Sequence, residues 1–157
     1  MGKWPRLALV SGGLILADQL TKLVATKWLE QAGDSIKIIP GLFDLTYVLN
    51  TGVAFGLMSG NMSAFQTLLL IGLTLLVLAL ILILIHKTSP EKKLLLGGLS
   101  LVSGGALANL ADRVRLGAVV DFLDFHLGSA YWPVFNLADT GITIGTILIL
   151  VAFWMDR

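Results

Sequence analysis

Leu68–Ile85 reads LLLIGLTLLVLALILILI, and no residue from Met62 to Ile85 is charged. With a helical rise of about 1.5 Å per residue, a segment of this length crosses the roughly 30 Å of hydrocarbon in a bilayer. The stretch predicts a membrane helix and puts the whole chain in the membrane class. Just beyond it lie Lys87, Lys92 and Lys93, followed by a second uncharged run, Leu94–Ala111. This run is rich in small residues, namely Gly97, Gly98, Gly104, Gly105, Ala106 and Ala108. Such residues let a neighbouring helix pack closely.

Two further spans reach full length only by including a charge. Leu7–Ala17 is apolar, and continuing it to Ala25 takes in Asp18 and Lys22, four residues apart and therefore on one helical face. Lys3 and Arg6 ahead of a short apolar run also fit a cleavable signal peptide. Against that reading, no small-x-small cleavage site follows, and the apolar pattern resumes at Leu20, Leu23, Val24 and Ala25. At the other end, Thr140–Met155 is uncharged, so a crossing that starts near Phe135 carries Asp139 at the membrane edge. Gly141 and Gly145 in that segment repeat the small-xxx-small spacing.

Composition agrees with this reading. Of 157 residues, 56% are hydrophobic and 13% charged, and the mean hydropathy is +0.88, outside the range of soluble domains. Four spans of about 20 residues use roughly half the chain, leaving no independent soluble module. The expected fold is an all-α integral membrane protein, a single domain over 1–157, with spans at about 7–25, 65–85, 94–111 and 135–155. In the segment of about 36–60, Pro40-Gly41 separates Ile36–Ile39 from an alternation of Phe43, Leu45, Tyr47 and Leu49 with polar residues, which predicts a small extracytoplasmic β-sheet. The segment of about 112–133 is expected to be a short outer helix or loop between spans three and four.

Basic residues set the orientation. Lys3, Arg6, the lysines after the second span and Arg157 place both termini in the cytoplasm. Trp4 and Trp154 then mark the inner interface, and Trp28, Tyr131 and Trp132 the outer one. A net charge of +1 without a basic block argues against nucleic acid as a partner. The chain has no cysteine, which removes thiol nucleophiles and thiolate metal sites. Its two histidines, His86 and His126, fall on opposite sides of the membrane, and there is no HExxH pattern, so no metal site and no cofactor are expected. A Ser/His pair of His126 with Ser129 reads as an ordinary turn.

What remains is a set of carboxylates and amides at the outer face: Asp18, Asn50, Asn109, Asp112, Asp121, Asp124, Asn136 and Asp139. Ionisable groups at membrane depth are costly and point to function. Two carboxylates in a low-dielectric site share one proton, so one can activate water while the other protonates a carbonyl or leaving amine. A proton-coupled transporter using Asp18, Asp112 and Asp139 as relay sites, or a structural subunit with polar glue between helices, are the alternatives.

Five ordered motifs sharpen the choice: Asp18-Gln-Leu-Thr-Lys22, Asn50-Thr-Gly-Val-Ala-Phe55, Gly105-Ala-Leu-Ala-Asn109-Leu-Ala-Asp112-Arg113, Val120-Asp121-Phe122 and Phe135-Asn136-Leu-Ala-Asp139. Over nearly its whole length the chain resembles the type II signal peptidases, which cleave bacterial prolipoproteins. The resemblance implies a catalytic dyad of Asp121 and Asp139, with Asn50, Asn109, Arg113 and Asn136 binding substrate or orienting the dyad. Asp18, Lys22 and Asp112 are implied as supporting residues, and a buried Asp18–Lys22 ion pair is the plainer reading of two of them. Arg113 could equally anchor lipid headgroups, and Asp124 reads as a solvated loop acid. Ala108 stands where the family usually has glycine, and Thr140 where serine is frequent. The implied enzyme is a monomeric, metal-independent aspartic endopeptidase of the bacterial cytoplasmic membrane. Its partners would be membrane lipids and diacylglyceryl-prolipoproteins, cut before the lipidated cysteine.

Overall fold

The computed structural model describes residues 2–52, 64–128 and 130–155. Val53, Ala54 and Phe55 of the second motif, Ser129 and Arg157 lie outside the described residues. The elements run α1 (Lys3–Ala32), β1 (Ser35–Ile39), β2 (Phe43–Asn50), α2 (Ala64–Lys87), α3 (Lys93–Leu116), β3 (Val119–Leu127), β4 (Ala130–Tyr131) and α4 (Leu137–Met155). Each of the four helices contains a segment long and apolar enough to cross a membrane.

The small-residue helix α3 is the hub, packing against α1, α2 and α4. Glycine is required where α3 meets α4. A Cβ on Gly98 would stand 2.7 Å from the Gly145 carbonyl oxygen, and one on Gly145 would stand 2.7 Å from that of Gly98. Near the site end, a Cβ on Gly105 would collide with the Ala138 carbonyl. At the opposite end, Ile81, Ile85, Leu95, Leu96, Leu99 and Ala152 form a buried apolar cluster across α2, α3 and α4. The outward faces of α2 carry Leu68, Leu73, Leu76, Leu80 and Leu84, all exposed, as a helix facing lipid requires.

The sheet is antiparallel in the order β1-β2-β3-β4. Pro40-Gly41 makes the β1–β2 turn, with Gly41 at φ 78° and the Leu42 N–H donating to the Ile39 carbonyl at 3.0 Å. This is the positive φ that a type II turn demands of its third residue. The sheet rests on the end of α1 through a cluster of Ala25, Leu29 and Phe122, backed by Ile36, Leu45, Tyr47 and Leu123.

One expectation is corrected. The segment after the third span is neither a short outer helix nor a loop: α3 continues to Leu116, Gly117 closes it at φ 71°, and Val119–Leu127 pairs with β2 as β3. The acids at 121 and 124 break the apolar pattern of this segment, and the pairing that makes it a strand comes from residues about 75 positions away, with Val48 opposite Asp121 and Asp44 opposite Asp124.

Candidate active site

α4 begins with a reciprocal cap. The Asn136 side-chain oxygen accepts the Asp139 N–H at 2.9 Å, and an Asp139 carboxylate oxygen accepts the Asn136 N–H at 3.4 Å. This arrangement satisfies two otherwise orphaned amide donors and fixes both side chains at the helix start. The Asn136 amide nitrogen, fully buried, also donates to Asp121 Oδ1 at 2.6 Å, to Asn109 Oδ1 at 3.2 Å and to the Val120 carbonyl at 3.3 Å. Asn109, on α3, in turn donates to Asp139 Oδ1 at 2.8 Å. A pair of touching amides therefore joins a carboxylate on β3 to one on α4.

The second Asp121 oxygen accepts the Asn50 side-chain amide at 2.9 Å. Asn50, at the end of β2, is fixed in turn because its oxygen accepts the Gly52 N–H at 2.9 Å. Arg113 reaches the Gly52 carbonyl at 3.4 Å and feels the charges of Asp139, Asp121 and Asp112. Burial pushes the Asp121 carboxyl up to about 6; the Asp139 charge adds to the rise, while the Asn50 and Asn136 hydrogen bonds and the Lys22 charge oppose it. The dominant cause is desolvation, which penalises the ionised form.

Asp121 and Asp139 both line a cavity of about 920 Å³. Asn50, Asn109 and Arg113 supply its other polar wall, while Val48, Trp132, Phe135, Ile142 and Ile144 supply apolar ones. An oriented polar cluster in a largely apolar cleft is the usual form of a ligand site.

Behind it lies the buried trio expected as support. Lys22 Nζ is 2.8 Å from Asp18 Oδ2, 2.7 Å from Asp112 Oδ2 and 3.0 Å from Asn109 Oδ1. All nine expected residues thus fall in one connected region, while Asp124 does not line the cavity: it sits on β3 and accepts the Thr46 hydroxyl at 3.0 Å. Sequence reasoning passed over Gln19, which donates to Asp112 Oδ1 at 2.9 Å and accepts from Arg115 at 3.1 Å. Its place inside the first motif was the available signal. Among the described residues no group of three His, Asp or Glu side chains is arranged to hold a metal ion.

Comparison with known proteins agrees with this architecture. The family described as Signal peptidase (SPase) II matches residues 10–155. The chain is 45% identical to the lipoprotein signal peptidase of Pelotomaculum thermopropionicum, over 96% of this chain and 92% of that one. It is 44% identical to the lipoprotein signal peptidase of Desulforapulum autotrophicum, over 91% and 88%. A solved structure of a bacterial membrane enzyme, obtained by the in meso method at 2.3 Å resolution, superposes with a TM-score of 0.81 at 32% identity, covering 96% of this chain and 88% of that one.

Proposed function

The chain belongs to the signal peptidase II family, and from that premise we propose that it is an aspartic endopeptidase that removes the signal peptide from diacylglyceryl-modified prolipoproteins, cutting before the lipidated cysteine. The observation that carries this reading is the Asn109–Asn136 amide pair, which ties the Asp121 and Asp139 carboxyl groups to one cavity.

The two acids hold a single proton between them, since a second negative charge in a desolvated site is disfavoured. The ionised partner takes a proton from water as the water oxygen bonds to the scissile carbonyl carbon. The protonated partner gives its proton to the carbonyl oxygen, forming a neutral tetrahedral intermediate. Return of the proton from a hydroxyl to its carboxylate, and protonation of the leaving nitrogen by the other acid, break the C–N bond. The products are a free carboxyl on the signal peptide and a free amine on the lipidated cysteine, with one water consumed. Seating an apolar substrate against Ile142 and Ile144 expels water, which makes a second negative charge in the dyad costlier and favours the singly protonated state.

The protein lies in the bacterial cytoplasmic membrane as a monomer, with both termini inside and the dyad at the outer face. The lysines of the α2–α3 loop carry this orientation. The substrate's own apolar helix and acyl chains stay in the bilayer, so binding involves little new desolvation. The alternatives of transport or a purely structural role are not favoured, because Asp18 and Asp112 meet at Lys22 directly behind the one cavity that Asp121 and Asp139 line, and these four acids form no series of steps along the helices.

The test is a micellar assay of the purified protein with a diacylglyceryl precursor, read by product mass. One cut just before the modified cysteine is expected. A correctly folded protein that leaves the precursor intact, or cuts elsewhere, contradicts the reading.

A further inference from the structure

The Lys22 ammonium has three hydrogens and three buried acceptors, and each acceptor leads to the dyad by its own route. Asp18 binds Lys22 through Oδ2 and uses Oδ1 to accept the backbone N–H of Ala138 at 2.8 Å, the residue before Asp139. Asp112 binds Lys22 through Oδ2 and with the same oxygen accepts the backbone N–H of Val120 at 3.3 Å, the residue before Asp121. Asn109 binds Lys22 through its oxygen and reaches Asp139 directly and Asp121 through Asn136. One cation on α1 therefore holds the backbone beside each acid, on two different elements, and the amide pair between them.

We infer that Lys22 is a positioning residue whose ammonium sets the separation and relative orientation of the Asp121 and Asp139 carboxyl groups. The inference rests on the dyad reading above. A buried ion pair that served stability alone has no reason to share its carboxylates with the two peptide groups next to the reacting acids. Its stoichiometry is also unbalanced, with two carboxylates around one ammonium, so neutral packing would be the simpler structural solution. Lys22 touches neither carboxyl of the dyad by any hydrogen bond seen among the described residues, so it acts through its three partners.

Lys22→Arg is the first test. It keeps the charge and replaces a tetrahedral donor with a larger planar fork, which cannot meet the same three acceptors. Displacing reacting groups by about 1 Å lowers turnover on the order of 100-fold. The expected result is a kcat reduced about 100-fold, KM within about threefold of wild type, and a displaced acid limb in the pH profile of kcat/KM. The groups facing Asp121 that shape that limb are Asp139, Lys22 and Arg113, and of these only Lys22 is altered. Asp18→Asn covers the case in which the arginine variant does not fold. It keeps the acceptor for Ala138, turns an amide toward the ammonium, and is expected to show the same loss in kcat at unchanged KM. Near-normal kcat in either folded variant, or a loss confined to thermal stability, overturns the inference. Wild-type protein without cleavage, or Asp121→Asn with full activity, would instead remove the dyad reading on which it stands.

Discussion

At the level of single residues, Asn136 has three tasks at once: it caps α4, it orients Asp121, and it completes the link to Asn109. Asn136→Ala is expected to lose about 1–2 kcal/mol of stability through the missing cap. It should lose about 100-fold in turnover as well, because a carboxylate loses its oriented donor. Thermal denaturation and precursor cleavage measure the two separately. A variant that loses stability alone would reduce Asn136 to a helix cap. Asp121 makes a complementary case in pH. Its folded-state pKa of about 6 lies above the ordinary 3.8, so between those values the folded protein holds more protons than the unfolded chain. The stability Asp121 contributes is present below about pH 4 and is lost as pH rises through about 6. Relative to Asp121→Asn, wild type should therefore lose stability across that window. Parallel curves from pH 4 to 7 would show that the carboxyl is not raised.

At the level of elements, the close approach of α3 and α4 sets where Asn109 stands relative to Asn136. Gly98→Ala places a methyl 2.7 Å from the Gly145 carbonyl, and overpacking of this kind costs about 1–3 kcal/mol. Gly97→Ala, whose Cβ meets nothing within 4 Å, is the control and should be neutral in stability and turnover. Equal melting temperatures for the two variants would mean that the helices yield at no cost. The helices were legible from sequence because lipid demands long apolar runs, and the charge-free stretch into α2 leaves no other solution. The β1–β2 hairpin was legible from Pro40-Gly41 and the alternation after it. β3 was not, because Asp121 and Asp124 interrupt its pattern and its pairing with β2 is remote in sequence. The motifs singled out the site residues by resemblance, and Asp18 and Lys22 were visible as one helical face. The Asn109–Asn136 contact was beyond reach, since it depends on how closely two glycine-bearing helices approach.

At the level of the whole molecule, the orientation can be read directly because the chain has no cysteine. Ser35 and Ser89 are both exposed, one at the start of β1 and one in the α2–α3 loop. In intact spheroplasts a membrane-impermeant maleimide should label Ser35→Cys and spare Ser89→Cys until the cells are opened. The reverse pattern would invert the protein in the membrane. The central claim is also a property of the whole fold, since the packing of α3, α4 and the sheet brings a strand acid and a helix acid to one cavity. A double-mutant cycle on turnover of a diacylglyceryl precursor tests it most directly, with Asp121→Asn, Asp139→Asn and the double variant each checked for folding. If the two acids act as one proton-sharing unit, each single variant should lose a thousandfold or more, about as much as the double. Independent, additive losses, or one single variant that still cleaves at near the wild-type rate, would contradict the account.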